Sequence, residues 1–426
     1  MNSGEARRLQ SEYLYPNIKT YYSEPLLLVE GQGTRLRDAE GNQYLDFFGG
    51  ILTVSVGHCH PHVSQAITEQ AQRLVHTSTC YLTTPLLEMS RRLAEITPGR
   101  LQKCFFTNSG TEAIETALNT ARIYTGADEI IALRHSYHGR SSLATAVTGN
   151  AGWRTPGSNL PGVVYAHNGY CYRCSLRQTY PDCGVACAYD LEEVIRTTTS
   201  GRVAALVAEP IQGVGGFITP PPEYFRIVVE IVREYGGIFI ADEVQTGFGR
   251  TGEHLFGIEH WGVEPDIMVF AKGLANGSPV GATIAVPEVA DACSTQSIST
   301  FGGNPVSMAA ASATLDVILD SGLPDHVHRM GEILMEGCRD MMDRYPFLGE
   351  VRGKGLMVGA EIVNEDRSPA PDLAGDAMEA ARLQGLLVGK GGLYGNVLRL
   401  TPPMNMEKAE LEEALDKLDR AFSSLA

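Results

Sequence analysis

The chain has 426 residues, 43 % of them hydrophobic and 20 % charged, which is more than one ordinary domain and far from the composition of a disordered chain. Its formal net charge of -16 argues against nucleic acid as a partner, since phosphates would be repelled except at a basic patch, and the pairs Arg7-Arg8 and Arg91-Arg92 stand alone. No run approaches the roughly 18 apolar residues of a membrane helix, and the opening MNSGEARRLQSEYLYP has two glutamates and no apolar signal core, so a soluble, cytoplasmic protein without a membrane partner is expected.

Residues 1–45 contain GTRLRDAEGNQYLDFF, where EGN marks a hairpin turn between two short strands. This segment is expected to pack with the C-terminal domain or with a partner subunit. Residues 46–315 form the expected large domain. Within it, CFFT (104–107), EIIALR (129–134), AALVAE (204–209), GIFIAD (237–242) and DIMVFAK (266–272) are short, apolar and bounded by turn formers. Longer helical patterns separate them, as in a mostly parallel sheet covered by helices. Residues 167–190 are a Tyr-, Pro- and Cys-rich insert. From residue 316 to 426 the pattern changes to helices near 324–344, 375–384 and 406–424 with short strands between them, the mark of a smaller α/β domain.

Three of the strands are predicted to finish on a charge: Glu209, Asp242 and Lys272. They are spaced by about one strand-helix-strand unit. Ligands of open α/β sheets bind outside the carboxyl ends of the strands, so three charges delivered there suggest one site. Asn108-Ser109-Gly110-Thr111-Glu112 follows CFFT and opens a helical pattern, which suits either a phosphate at a helix N-terminus or a plain serine cap. Asp242 reads as the partner of a protonated ring nitrogen, as a helix cap or as a metal ligand. No His or Cys stands at ligand spacing from it, which disfavours the metal. Lys272, desolvated at a strand end, has the setting of an amine nucleophile with a lowered pKa.

These residues belong to a longer pattern. GIFIADEVQTGFGRTGEHLFGIEHWGVEPDIMVFAKGLANGSPVGA (237–282) resembles the signature of the fold-type I, class III aminotransferases that depend on pyridoxal 5'-phosphate (PLP). NSGTEA (108–113), SYHGR (136–140), AEPIQG (208–213), STFGGNP (299–305) and GNVLRLTPP (395–403) continue the likeness in order along nearly the whole chain. The resemblance implies a fold-type I architecture with PLP as cofactor. It makes Lys272 the Schiff-base lysine and proton shuttle, Asp242 the partner of the pyridine nitrogen and Gln245 that of the ring hydroxyl. Tyr137 would stack on the ring, with His138-Gly139 shaping the turn beneath. Ser109, Gly110 and Thr111 would hold the phosphate, with Glu209 among the cofactor-binding residues. Thr300 would reach the phosphate of the neighbouring subunit, which implies a homodimer with shared sites, alone or as a dimer of dimers.

Arg399 resembles the family arginine that grips a substrate carboxylate, and Arg140 is a second candidate. Ornithine- and 4-aminobutyrate-type members carry a glutamate after EPIQG that pairs with this arginine; here Val214 follows. An always-available Arg399 favours donors with a nearby carboxylate. Together with DFFGGILTVSVGHCHP (46–61) and KGGLYGNVLR (390–399), this is similar to the alanine–glyoxylate aminotransferase 2 branch, with alanine or a β-amino acid as donor and glyoxylate or pyruvate as acceptor. Phe48, Tyr81 and Tyr394 are expected to shape the pocket. An ω-amino acid transaminase is the alternative, and a lyase, decarboxylase, racemase or aminomutase could use the same lysine and aspartate.

Nine cysteines, an odd number, argue against a full disulfide framework. Cys59, Cys80, Cys104, Cys293 and Cys338 are scattered and read as small hydrophobes. Cys171, Cys174, Cys183 and Cys187 cluster in the insert. Their spacing leaves a zinc site, an iron–sulfur cluster, disulfides or plain packing thiols open, with a structural role expected over a catalytic one.

Overall fold

The computed structural model describes residues 1–18 and 20–425. After an N-terminal helix, Ser3–Tyr13, come three strands, β1 (Leu28–Gln32), β2 (Arg35–Asp38) and β3 (Gln43–Phe47), joined as an antiparallel meander. The EGN turn between β2 and β3 is held by one carboxylate. Asp38 accepts the N–H groups of Glu40 (3.1 Å) and Asn42 (2.8 Å) and the hydroxyl of Tyr44 (2.8 Å). Gly41 supplies the positive φ that the turn needs.

Seven strands then build a central sheet: β4 (Lys103–Thr107), β5 (Glu129–Leu133), β6 (Val163–Ala166), β7 (Val203–Ala208), β8 (Ile238–Asp242), β9 (Ile267–Phe270) and β10 (Gly281–Ala285). Their order is β4-β10-β9-β8-β7-β5-β6. All neighbouring pairs from β9 to β6 are parallel, and only β10 runs against both of its neighbours. β7 to β10 are buried at every residue, so both faces are covered, which explains their unbroken apolar sequences. The helix Gly110–Thr125 packs across β7 to β10 through Ala113, Ile114, Ala117, Leu118 and Ala121, a three-and-four spacing that puts them on one face. Helix Tyr224–Glu234 packs on β7 and β8.

Two of the expected strand ends move. Asp242 does close β8, but Glu209 lies just past β7, and Lys272 lies two residues beyond β9. Lys272 has a left-handed backbone (φ 41°) and begins the single turn Lys272–Ala275. A strand would point alternate side chains to opposite faces; the early break turns Lys272 over the sheet edge instead.

The remaining strands, β11 (Leu348–Lys354), β12 (Met357–Ile362), β13 (Leu386–Gly391) and β14 (Val397–Leu400), form the second sheet together with the first three, in the order β1-β2-β3-β13-β14-β12-β11. β3 and β13 pair in parallel, with Leu45 opposite Leu386. Helices Leu323–Arg344, Pro371–Leu383 and Lys408–Ser423 pack on this sheet and on each other. The two sheets are tied by a buried cation, as Arg250 donates to the carbonyls of Pro402 (2.6 Å) and Leu356 (3.3 Å). Among the described residues no single helix is long and apolar enough to cross a membrane.

Candidate active site

The carboxyl end of the central sheet opens into a cavity of about 220 Å³, lined in part by Ser109, Gly110, Thr111, Tyr137, Arg140, Glu209, Asp242, Gln245 and Lys272. Residues from five separate stretches of sequence therefore converge as their strand-end positions predict.

Ser109 caps the helix Gly110–Thr125, and its hydroxyl is shared with Glu112 in both directions, donating to Oε2 at 3.1 Å and accepting the N–H at 3.5 Å. The Thr111 hydroxyl is also engaged. Its oxygen accepts the N–H groups of Arg140 (3.1 Å) and Ser141 (3.0 Å) and lies 2.6 Å from the Ser141 hydroxyl. The Ser109 side chain thus closes the first turn of its own helix and Thr111 holds the 140–141 loop, while the first-turn N–H groups at Gly110 and Thr111 have no partner within the helix. Gly139 makes the close approach possible, since a Cβ there would stand 2.4 Å from Thr111 Oγ1, and its φ of 140° suits glycine alone.

Asp242 Oδ2 lies 2.7 Å from His138 Nδ1, and Oδ1 accepts the Val244 N–H at 3.1 Å. Burial by itself would lower the His138 pKa, but the hydrogen bond and charge of Asp242 outweigh it and the pKa is raised. Glu209 accepts the N–H groups of Tyr137 (2.9 Å) and Gly213 (2.8 Å), so it acts on the cavity by fixing the backbone of the Tyr137 turn. Burial pushes its carboxyl up to about 7. Gln245 lies against Gly213, where a Cβ would fall 2.2 Å from Oε1, and that buried oxygen has no partner. Lys272 is half-buried and makes no side-chain hydrogen bond or ion pair among the described residues. Burial draws its pKa down to about 8, against the opposing pull of Asp242 and Glu209.

Arg399 sits mid-strand in β14, 4 % exposed, next to this cavity. Its guanidinium lies between the rings of Phe48 (5.8 Å) and Phe217 (5.6 Å). Nη1 reaches the Gly213 carbonyl only at 3.5 Å, Nε has no partner, and no carboxylate pairs with it among the described residues. Two glycines make the room: a Cβ at Gly389 would meet the Phe48 ring at 2.7 Å, and one at Gly391 would meet Arg399 Cδ at 3.0 Å. Val214 is buried and offers only its carbonyl, to the Gly392 N–H.

Arg140 is exposed at the rim of the cavity. Thr300, Tyr81 and Tyr394 do not line the cavity of their own chain; Thr300 is exposed, and the tyrosines are 70 % and 53 % exposed. Sequence reasoning missed the His138–Asp242 bond, Phe217, and Tyr21, whose ring meets Phe48 edge-on at 5.2 Å. Tyr21 lies in an irregular stretch without periodicity, so no local signal marked it. His138 was visible only as a neighbour of Tyr137. In the insert, Cys171, Cys174, Cys183 and Cys187 are free thiols lining one space of about 20 Å³, and among the described residues no three ligating side chains are placed to hold a metal ion.

An α/β fold with a lysine, an aspartate and a helix N-terminus gathered at the strand ends defines a PLP-dependent transferase site. The chain belongs to the class-III aminotransferases, whose family model matches residues 19–422. It is 38 % identical to alanine--glyoxylate aminotransferase 2 homolog 2, mitochondrial, of Arabidopsis thaliana over 98 % of this chain and 87 % of that one. It is 37 % identical to the acetylornithine aminotransferase of Methanothermobacter thermautotrophicus over the full length of both. Among solved structures, an (S)-enantioselective omega-transaminase from Thermomicrobium roseum superposes with a TM-score of 0.91 at 33 % identity, covering 100 % of this chain and 99 % of that one. The cofactor is PLP. The residues present fit it: an unpaired buried acceptor at Gln245, an unpaired amine at Lys272, an anchored carboxylate at Asp242, and a first helical turn that Gly139 lets close around an anion.

Proposed function

We propose that this aminotransferase moves the amino group of alanine or a similar small α- or β-amino acid to a 2-oxo acid such as glyoxylate or pyruvate. Donor and acceptor take turns in one pocket, a ping-pong sequence. The observation that supports this donor class is the guanidinium of Arg399, buried beside the cavity with Nε unpartnered and no carboxylate to switch it off. A planar fork desolvated in this way binds a carboxylate strongly and in one orientation.

When bound, PLP supplies an electron-withdrawing ring that accepts the electron pair left when the amino acid loses its α-proton. Asp242, held by His138, would pair with the ring nitrogen and favour its protonated form. Gln245 Oε1 would accept from the ring hydroxyl, and Tyr137, fixed through its N–H by Glu209, would cover the ring. The N–H groups at Gly110 and Thr111 would take the phosphate, and Thr300 would add a contact from the second subunit of a homodimer. Lys272, with a pKa of about 8, is part neutral at pH 8 and so serves as nucleophile and then as proton carrier. Arg399 orients the donor by its carboxylate so that the α-proton faces Lys272.

Adding L-alanine to the holoenzyme should bleach the visible cofactor band, and glyoxylate or pyruvate should restore it. A band that ignores alanine but responds to ornithine or 4-aminobutyrate would overturn the donor assignment.

A further inference from the structure

Gly213 carries three of the contacts that shape the site: its N–H goes to Glu209, its carbonyl faces Arg399 and its Cα lies under Gln245. It belongs to a tight loop in which Gln212 N–H bonds the Ile218 carbonyl (3.0 Å) and Gly216 N–H bonds the Gly213 carbonyl (3.1 Å). A loop of glycines, 213, 215 and 216, has little of its own to fix its position.

The far side of this loop is held from the small sheet. Arg352 on β11 donates from Nε to the Gly216 carbonyl at 2.8 Å. The same guanidinium lies 4.8 Å from the Tyr170 ring centroid and donates from Nη1 to Glu361 on β12 at 2.6 Å. Glu361 is fully buried and also accepts from the Tyr170 hydroxyl, from Arg173 Nε and from Asn396 Nδ2 (3.3 Å). Glu361 is paired in register with Val397, two residues before Arg399 on β14. Gly216 has φ 97°, and a Cβ on it would meet Val397 at 2.8 Å and Arg352 Nη2 at 3.1 Å, so the loop and the arginine are fitted to each other.

Charges buried this deeply are expensive; here the Glu361 carboxylate is paired on both oxygens, while Arg352 Nη2 and Arg173 Nη2 have no partner. We propose that Glu361 and Arg352, braced by Tyr170 of the insert, are positioning residues that set the 212–218 loop and thereby the carboxylate grip of Arg399. They touch neither substrate nor cofactor. Their effect is on where the donor carboxylate is held, and the Cys-rich insert becomes a support of the substrate pocket. This rests on Arg399 gripping the carboxylate.

The test uses the holoenzyme, with the KM and kcat for L-alanine and the inhibition constant of propionate, which has a carboxylate but no amine. Glu361→Gln keeps the shape and removes the charge; Tyr170→Phe removes one hydroxyl and is the milder variant should the first not fold. The expected result is a KM for alanine and a propionate inhibition constant that rise together, by roughly 10- to 100-fold for Glu361→Gln and less for Tyr170→Phe, with the cofactor band retained and kcat within about threefold. Unchanged constants in a folded variant, or a fall in kcat with no rise in KM, overturn the proposal. Arg399→Met separates the two ideas. If it leaves the propionate constant unchanged, the reading of Arg399 itself has failed; if it abolishes propionate binding while Glu361→Gln and Tyr170→Phe do not weaken it, the positioning role has failed alone.

Discussion

Replacing Arg399 with methionine should make the protein more stable and the enzyme worse. The guanidinium is 4 % exposed, lacks a carboxylate, and leaves Nε unpaired, so the folded state carries a buried charge with no counter-charge beside it. Such a charge costs about 3–5 kcal/mol. The two ring contacts with Phe48 and Phe217 return about 0.5–2 kcal/mol each, so removing the charge should leave a net gain of order 1–2 kcal/mol in the substrate-free holoenzyme. Methionine fills the stem volume without a charge. Binding inverts the sign. A substrate carboxylate loses its buried partner at a cost of about 2–5 kcal/mol, which lowers kcat/KM for alanine about 30- to 5000-fold. The assay is a thermal melt without substrate beside steady-state kinetics. A melting midpoint several degrees lower together with unchanged kcat/KM would refute the reasoning, because it would make Arg399 a structural cation.

Further outcomes follow from the same geometry. The amine of Lys272 must be neutral to react; with its pKa lowered to about 8 by burial, the rate at which the apoenzyme takes up PLP should climb with pH and level off above about 8. A rate still rising tenfold per unit toward pH 10 would mean that the lysine is unshifted. Gly139→Ala combines a backbone cost of about 1–3 kcal/mol with a clash at Thr111 Oγ1, so PLP should bind at least about tenfold more weakly by equilibrium dialysis while the secondary structure persists. His138→Asn removes the 2.7 Å partner of Asp242, a bond to a charged group worth about 1.5–3 kcal/mol, and should cut kcat more than PLP affinity. Cys174→Ser should lower the melting midpoint more than turnover per folded site, since its thiol packs the insert and lies outside the active-site cavity.

Much of this protein was legible without a fold. The apolar runs gave the central strands because a strand buried on both faces has no polar alternation to hide. Glu209, Asp242 and Lys272 declared themselves by position, since a charge next to such a run is exposed only at the sheet edge. Val214 marked the missing partner of Arg399 only against the family resemblance, which places a glutamate there in other members.

Other features exist only in three dimensions. The first forty-odd residues were expected to pack with the C-terminal domain or a partner subunit, but which strand β3 would pair with, and in parallel, was not legible; strand pairing over so long a separation is decided by packing, not by local pattern. That the hydroxyl of Thr111 is spent on the 140–141 loop, that His138 holds Asp242, and that Tyr170, Arg173 and Arg352 meet on Glu361 depend on which side chains the tertiary structure brings within 3 Å or so of each other. The sequence by itself pointed to the cofactor chemistry, through charged residues beside apolar strand runs and through the family resemblance carried by the ordered motifs. The tertiary structure decided how those residues are held, because hydrogen bonds and buried charges are settled by distances that no spacing along the chain encodes.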